Sequence, residues 1–154
     1  MDKRQRIKSK IINYEFRELK LYVILNGKMS KESQRYLRNA KDILKKAPIE
    51  DNQYADVKYV REACGTAYLA VLIAIDDYLL AKGFSRKELP KSVDAYRTFL
   101  KKHGGVHNGK LMRKFDNLYD ELHIAGYYRG MLHSVVTVKA ALKNAQEFIE
   151  KLSF

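Results

Sequence analysis

The chain has 154 residues, enough to bury one hydrophobic core and a usual length for a single domain. With 46% hydrophobic and 31% charged residues it is too apolar to be disordered and too charged for a membrane protein. Its formal charge of +12 makes an acidic partner or nucleic acid a natural thing to look for.

Residues 1–30 form a basic N-terminal extension with eight Lys/Arg against three acids. Ile11 to Leu25 suits a helix or a strand equally, and Asn26-Gly27 signals a turn. Met29-Ser30 opens directly onto the first clear helical pattern, so Met29 is a candidate start of the bundle proper, residues 31–154. From Lys31 to Lys46, Tyr36, Leu37, Ala40, Ile43 and Leu44 recur at helical spacing, with Ser30 as N-cap. Pro48 and the polar run to Gln53 end that helix.

A long second helix is predicted over Tyr54–Lys82, with Gly83 as its left-handed C-cap. Ala63, Ala67, Ala70 and Ala74 stack along one stripe, where a neighbouring helix can approach closely. Asp76 and Asp77 diverge by about 100° on that helix, so they cannot act as a matched acid/base pair. Asp76 should meet a buried partner such as Tyr128 or Arg129, leaving Asp77 in solvent.

A third helix should start around Pro90 and Ser92, with Val93, Tyr96, Phe99 and Leu100 inward, and stop at Gly104-Gly105. A fourth should start near Asn108 with Leu111, Phe115, Leu118, Tyr119 and Leu122 inward. The two glycines in His123–Gly130 suggest a bend. The last helix then runs to about Leu152, burying Val135, Val138, Ala141, Leu142, Ala145 and Ile149. No convincing strand or internal repeat appears. The expected fold is all-α, an up-and-down antiparallel bundle of four to five helices.

The longest uncharged stretch, Ala63 to Ile75, is shorter than the roughly 20 apolar residues of a spanning helix. No apolar block and cleavage site of secretory order follows the basic N-terminus, and Cys64 has no second cysteine to pair with. A cytoplasmic protein without membrane contact is expected.

Charge is uneven: residues 82–114 carry ten Lys/Arg against Glu88 and Asp94. Lys101, Lys102, Arg113 and Lys114 within that segment are candidate contacts for RNA or a nucleotide, and Tyr127 and Tyr128 could stack on a base. A solvated basic face accounts for the same lysines. Two Arg/His pairs could hold a phosphate and move a proton in metal-independent RNA cleavage: Arg129 with His133, and Arg97 with His103. Arg97 and His103 are also accounted for as surface residues near a helix end, and Arg129 and His133 as a packed helix start with a satisfied histidine. His103 and His107 flank two glycines, which break the helix that would align them as metal ligands. No metal and no cofactor is expected, and no Gly-rich phosphate loop or nucleophile elbow is present.

Three blocks carry a family resemblance: Tyr36–Leu44, Tyr59–Ala70 and Ala125-Gly126-Tyr127-Tyr128. Their order and alanine-tyrosine character resemble the HEPN superfamily, or an uncharacterised bacterial group within or near it, over residues 31–152. The resemblance implies a helical bundle, often dimeric, found beside nucleotidyltransferase-type proteins. Active HEPN ribonucleases carry an arginine, four to six residues, then a histidine near the last major helix. Arg129 and His133 have the position but three intervening residues. Arg97 and His103 have the spacing but lie early, and Thr98 is not the usual asparagine, aspartate or histidine after the arginine. The leading expectation is a non-catalytic binding module for a protein, RNA or nucleotide. A metal-independent ribonuclease and a structural homodimer are the alternatives.

Overall fold

The computed structural model describes residues 30–103 and 109–152. The extension before Ser30, Gly104-Gly105, His107 and Asn108 lie outside the described residues. Helix α1 spans Lys31–Lys45. The Ser30 side chain accepts from the Ser33 backbone N–H at 3.1 Å, with Glu32 in the first turn and Lys45 in the last, both favourable to the helix dipole. Ser33, Leu37, Ala40 and Leu44 are its buried face.

Where no strand was expected, Ile49–Glu50 (β1) and Gln53–Tyr54 (β2) form a small antiparallel hairpin, Ile49 opposite Tyr54. Asp51 and Asn52 take φ of 48° and 60° at its tip. Short polar side chains of this kind tolerate the left-handed region that a two-residue hairpin turn demands. The hairpin is tied to the far end of the chain. Tyr54 N–H donates to the His133 carbonyl at 2.8 Å, and Val135 N–H to the Asn52 carbonyl at 3.0 Å.

Helix α2, Val57–Ala81, starts at an Asp56 cap accepting from Lys58 N–H at 3.0 Å. It ends before Gly83, whose φ is 98°. Its 25 residues, about 37 Å, form the axis of the core, packing against α1, the last helix and the segment before it. The alanine stripe works as read from the sequence. Ala63, Ala67, Ala70 and Ala74 are buried, and α1 comes close enough for the Ser33 hydroxyl to donate to the Ala70 carbonyl at 2.8 Å. By length and composition α2 could cross a membrane (mean hydropathy 1.5 over its apolar window), yet 56% of that window is buried inside the fold. That burial is the pattern of a core helix.

A 3-10 turn at Arg86–Glu88 leads to α3, Val93–His103, where Ser92 Oγ accepts from Ala95 N–H at 3.1 Å. Tyr96 on α3 donates its hydroxyl to Asp76 Oδ1 at 2.9 Å. The partner of Asp76 is therefore Tyr96 and not Tyr128 or Arg129, and Asp77 is exposed as expected.

Helix α4, Lys110–Leu118, passes without a break into a π-helical segment, Tyr119–Tyr128. The bend expected across His123–Gly130 is thus displaced. Helix continues through Gly126, and the chain turns only after Tyr128, at Gly130 with φ of 59°. Gly126 has a different task. A Cβ there would lie 2.6 Å from Cys64 Sγ and 2.7 Å from Cys64 Cβ, so its bare backbone lets the π segment seat on α2. Helix α5, Val135–Lys151, follows a Ser134 cap and buries Val138, Ala141, Leu142, Ala145, Phe148 and Ile149. Five α-helices among the described residues thus make the mostly all-α bundle that the sequence predicted.

Candidate functional site

A groove of about 760 Å³ runs between α1 and α5, closed at one end by the β hairpin. Lys41 Nζ on α1 donates to Gln146 Oε1 on α5 at 2.7 Å, while the chain after α1 enters a hairpin pinned to the residues preceding α5. The two helices therefore run antiparallel, with the C-terminal end of α1 beside the N-terminal end of α5. Leu44, Ala47, Tyr54 and Leu142 form an apolar floor, and Ile49, 54% exposed, stands at the hairpin end. Burial, then the nearby Cys64, push the Tyr54 phenol above its ordinary range, so the floor carries no charge at neutral pH.

The walls are basic. Lys41 and Lys45 rise from α1, Lys139 and Lys143 from α5. Lys45 reaches Asp42 at 3.2 Å, but among the described residues Lys41, Lys139 and Lys143 form no ion pair. Glu147 and Glu150 lie towards the other end, where Gln146 Nε2 donates to Glu150 Oε1 at 3.0 Å. None of these residues stood out in the sequence. The signal was there, lysines at i and i+4 flanking Leu44 and Leu142, but one such helix alone reads as a solvated face.

The two Arg/His pairs do not converge. Arg97 donates to Asp94 at 2.8 Å and also to Asp116, and these bonds hold its guanidinium even further above neutrality. Its guanidinium also lies 5.4 Å from the Tyr119 ring centroid. The His103 ring packs against Phe84 and Phe99, with centroids at 4.9 and 5.7 Å. Six helical steps put the two side chains about 120° apart around α3. Arg129 and His133 are not on one continuous helix, because left-handed Gly130 stands between them. Arg129 lies over the Tyr128 ring at 5.7 Å, and His133 is exposed, lending its carbonyl to Tyr54.

Tyr127 and Tyr128 are exposed, but Tyr127 is partly committed. Its ring lies over Gly65, where a Cβ would meet Cδ2 at 3.0 Å, and it stacks on His123, which stacks on Tyr119. Arg61, overlooked in the sequence, clasps the end of the π segment. Its Nε and Nη2 donate to the Tyr127 and Tyr128 carbonyls at 2.9 and 3.0 Å. Lys101 and Lys102 are exposed at the end of α3, and Arg113 is exposed on α4. Lys114 has its ammonium held below the usual lysine range, first by the Lys151 ammonium beside it. Burial, then Glu121, push the Cys64 thiol up to about 12, which leaves it inert as a nucleophile. Among the described residues, no three His, Cys, Asp or Glu side chains gather as metal ligands.

These features define a small helical bundle with a lysine-walled groove over an apolar floor. The chain belongs to the family described as a domain of unknown function, DUF5618, whose model matches residues 28–153. It is also similar to a solved structure, a protein of unknown function from Dyadobacter fermentans, at 35% sequence identity and a TM-score of 0.65. That match covers 79% of this chain and 90% of that one. No curated protein matches the chain.

Proposed function

We propose that this chain is a non-catalytic binding module of the HEPN-like kind, acting in the cytoplasm, and that its partner is a protein held in the groove between α1 and α5. The groove carries the reading, since it combines lysine walls with an apolar residue, Ile49, that stands 54% exposed beside a packed apolar floor. A concave site with an apolar floor and polar groups that fix orientation is a usual form of a recognition site. The state of both Arg/His pairs supports a module without ribonuclease activity. Cleavage needs an imidazole and a guanidinium at one phosphate, and here Arg97, Arg129 and His103 each have a separate structural engagement, while His133 follows the left-handed Gly130. The HEPN resemblance adds a class of partner, a nucleotidyltransferase-type protein.

A photoreactive amino acid at Ile49, with Val136 as an exposed control outside the groove, tests this in the cells that make the protein. The expected result is a discrete protein adduct at Ile49 that is missing at Val136. RNA adducts at Ile49, or equal labelling at both sites, would refute the reading. In parallel, purified protein with chelator present should not cleave RNA above background, and His133→Ala and His103→Ala should change nothing.

A further inference from the structure

We infer that the groove takes an acidic amphipathic helix, docked antiparallel to α5. This rests on the groove's being the binding site and adds the chemistry and orientation of its occupant.

The dimensions favour a helix. Lining residues on α5 run from Lys139 to Glu150, about 17 Å of helix, which matches roughly three turns of a guest. Its apolar stripe would cover exposed Ile49 and lie over the packed floor of Leu44, Tyr54 and Leu142, which are 3–7% exposed.

The charge selects the flanks of that helix. Lysines stand on both walls, and Lys41, Lys139 and Lys143 lack a carboxylate partner within the described fold. Glutamates or aspartates on either side of a guest's apolar stripe would complete pairs that the chain itself leaves open. A basic guest would stack like charges along both walls. Polarity follows from the asymmetry of the groove. The hairpin end holds Lys45, Lys139 and Lys143, and the other end holds Glu147 and Glu150. The negative C-terminal end of the guest's dipole belongs at the lysines and its positive N-terminal end at the glutamates. Since α5 runs from Lys139 towards Glu150, the guest lies antiparallel to it.

The test uses the full chain and fluorescein-labelled synthetic peptides of about 14 residues. All carry leucines at helical spacing, and their flanks are glutamate, glutamine or lysine. By anisotropy the glutamate peptide should bind about ten-fold tighter than the glutamine peptide, the sum of two modest exposed ion pairs. Lys139→Glu with Lys143→Glu should abolish that preference and leave glutamine-peptide binding in place. Lys101→Glu with Lys102→Glu, on exposed residues of α3, should change neither. Far-ultraviolet circular dichroism checks that each variant keeps its helices. Equal binding of the glutamate and glutamine peptides, both lost in Ile49→Arg, would overturn the acidic guest while leaving the groove as a site. Peptide binding indifferent to Ile49→Arg, or no binding at all, would overturn the groove reading itself. Competition by RNA for the Lys139/Lys143 wall would also overturn the inference, as would a dimer that dissociates in the Lys139→Glu, Lys143→Glu variant.

Discussion

Gly126→Ala should destabilise the protein through one contact. The added methyl would sit 2.6 Å from Cys64 Sγ, 2.7 Å from Cys64 Cβ and 3.1 Å from the Glu121 carbonyl. Cys64 is fully buried in the middle of α2, and neither its Cβ nor a helix carbonyl can swing aside. The π segment must therefore lift off α2, at the usual overpacking cost of about 1–3 kcal/mol. Replacing glycine by alanine in a helix returns up to about 1 kcal/mol. A 2.6 Å contact belongs in the upper part of that range, about 2–3 kcal/mol, so a net loss of about 1–2 kcal/mol remains, or a melting temperature lower by roughly 2–8 °C in a chain of this size. Cys64→Ala should rescue only in part, because it removes the sulfur and leaves the Cβ contact. Cys64→Gly removes both, so the coupling in a double-mutant cycle should be larger with glycine than with alanine. Gly65→Ala is the contrast. It meets Cδ2 of Tyr127 at 3.0 Å, but that ring is 47% exposed and can turn away, so the loss should stay near 0.5 kcal/mol or below. Differential scanning calorimetry on the four single and two double variants decides it. Gly126→Ala melting with the wild type, or Cys64→Ala rescuing as fully as Cys64→Gly, would refute the close seating of the π segment.

Tyr96→Phe removes the hydroxyl bonded to half-buried Asp76 and should cost about 1–2 kcal/mol in urea unfolding. Burial raises the Asp76 and Glu121 carboxyls above their ordinary range, so the folded state holds their protons beyond the pH at which the unfolded chain releases them. Their contribution is therefore greatest below about pH 4 and is lost as pH rises through the raised folded values. Asp76→Asn keeps an acceptor for Tyr96 and should flatten that decline in melting temperature between acid and neutral pH. A chain beginning at Met29 should keep the helical content of residues 30–152 by circular dichroism, since the whole described core lies after that residue. An unfolded truncated chain would mean that the first 28 residues complete the core.

The helices were legible because each announces itself locally. Ser30, Asp56 and Ser92 are side chains that cap, Gly83 is a residue that can adopt positive φ, and the alanines of α2 recur on one face. What the sequence concealed was non-local or was signalled twice over. Asp51-Asn52 is a turn signal, but the two-residue strands beside it are held in place by residues 133–135, some eighty positions on. Gly126 and Gly130 look alike in sequence. One fills a close contact with Cys64 and the other breaks the helix, and only the opposing surface of α2 separates the two roles. Asp76 clearly needed a partner, but nothing local points to Tyr96 on another helix.

The same physics explains why the residues conspicuous in the sequence are not those that the fold gathers around the groove. Arg/His spacings and a dense run of lysines are conspicuous along a chain, yet spacing has chemical meaning only if the backbone between the residues is regular. Gly130 removes that condition for Arg129 and His133. Helical rotation and separate neighbours remove convergence for Arg97 and His103. The groove has the opposite character. Lys41 and Lys45 are one turn apart on α1, Lys139 and Lys143 one turn apart on α5, and each pair alone is unremarkable surface. They acquire a joint meaning only when the two helices lie antiparallel with Leu44 and Leu142 between them. The seam of Leu44, Ala47, Tyr54 and Leu142 is itself closed by packing, so the apolar surface left to a guest is Ile49 at the rim, with lysines on the walls beside it. Those are the groups that a guest helix with an apolar stripe and acidic flanks would cover.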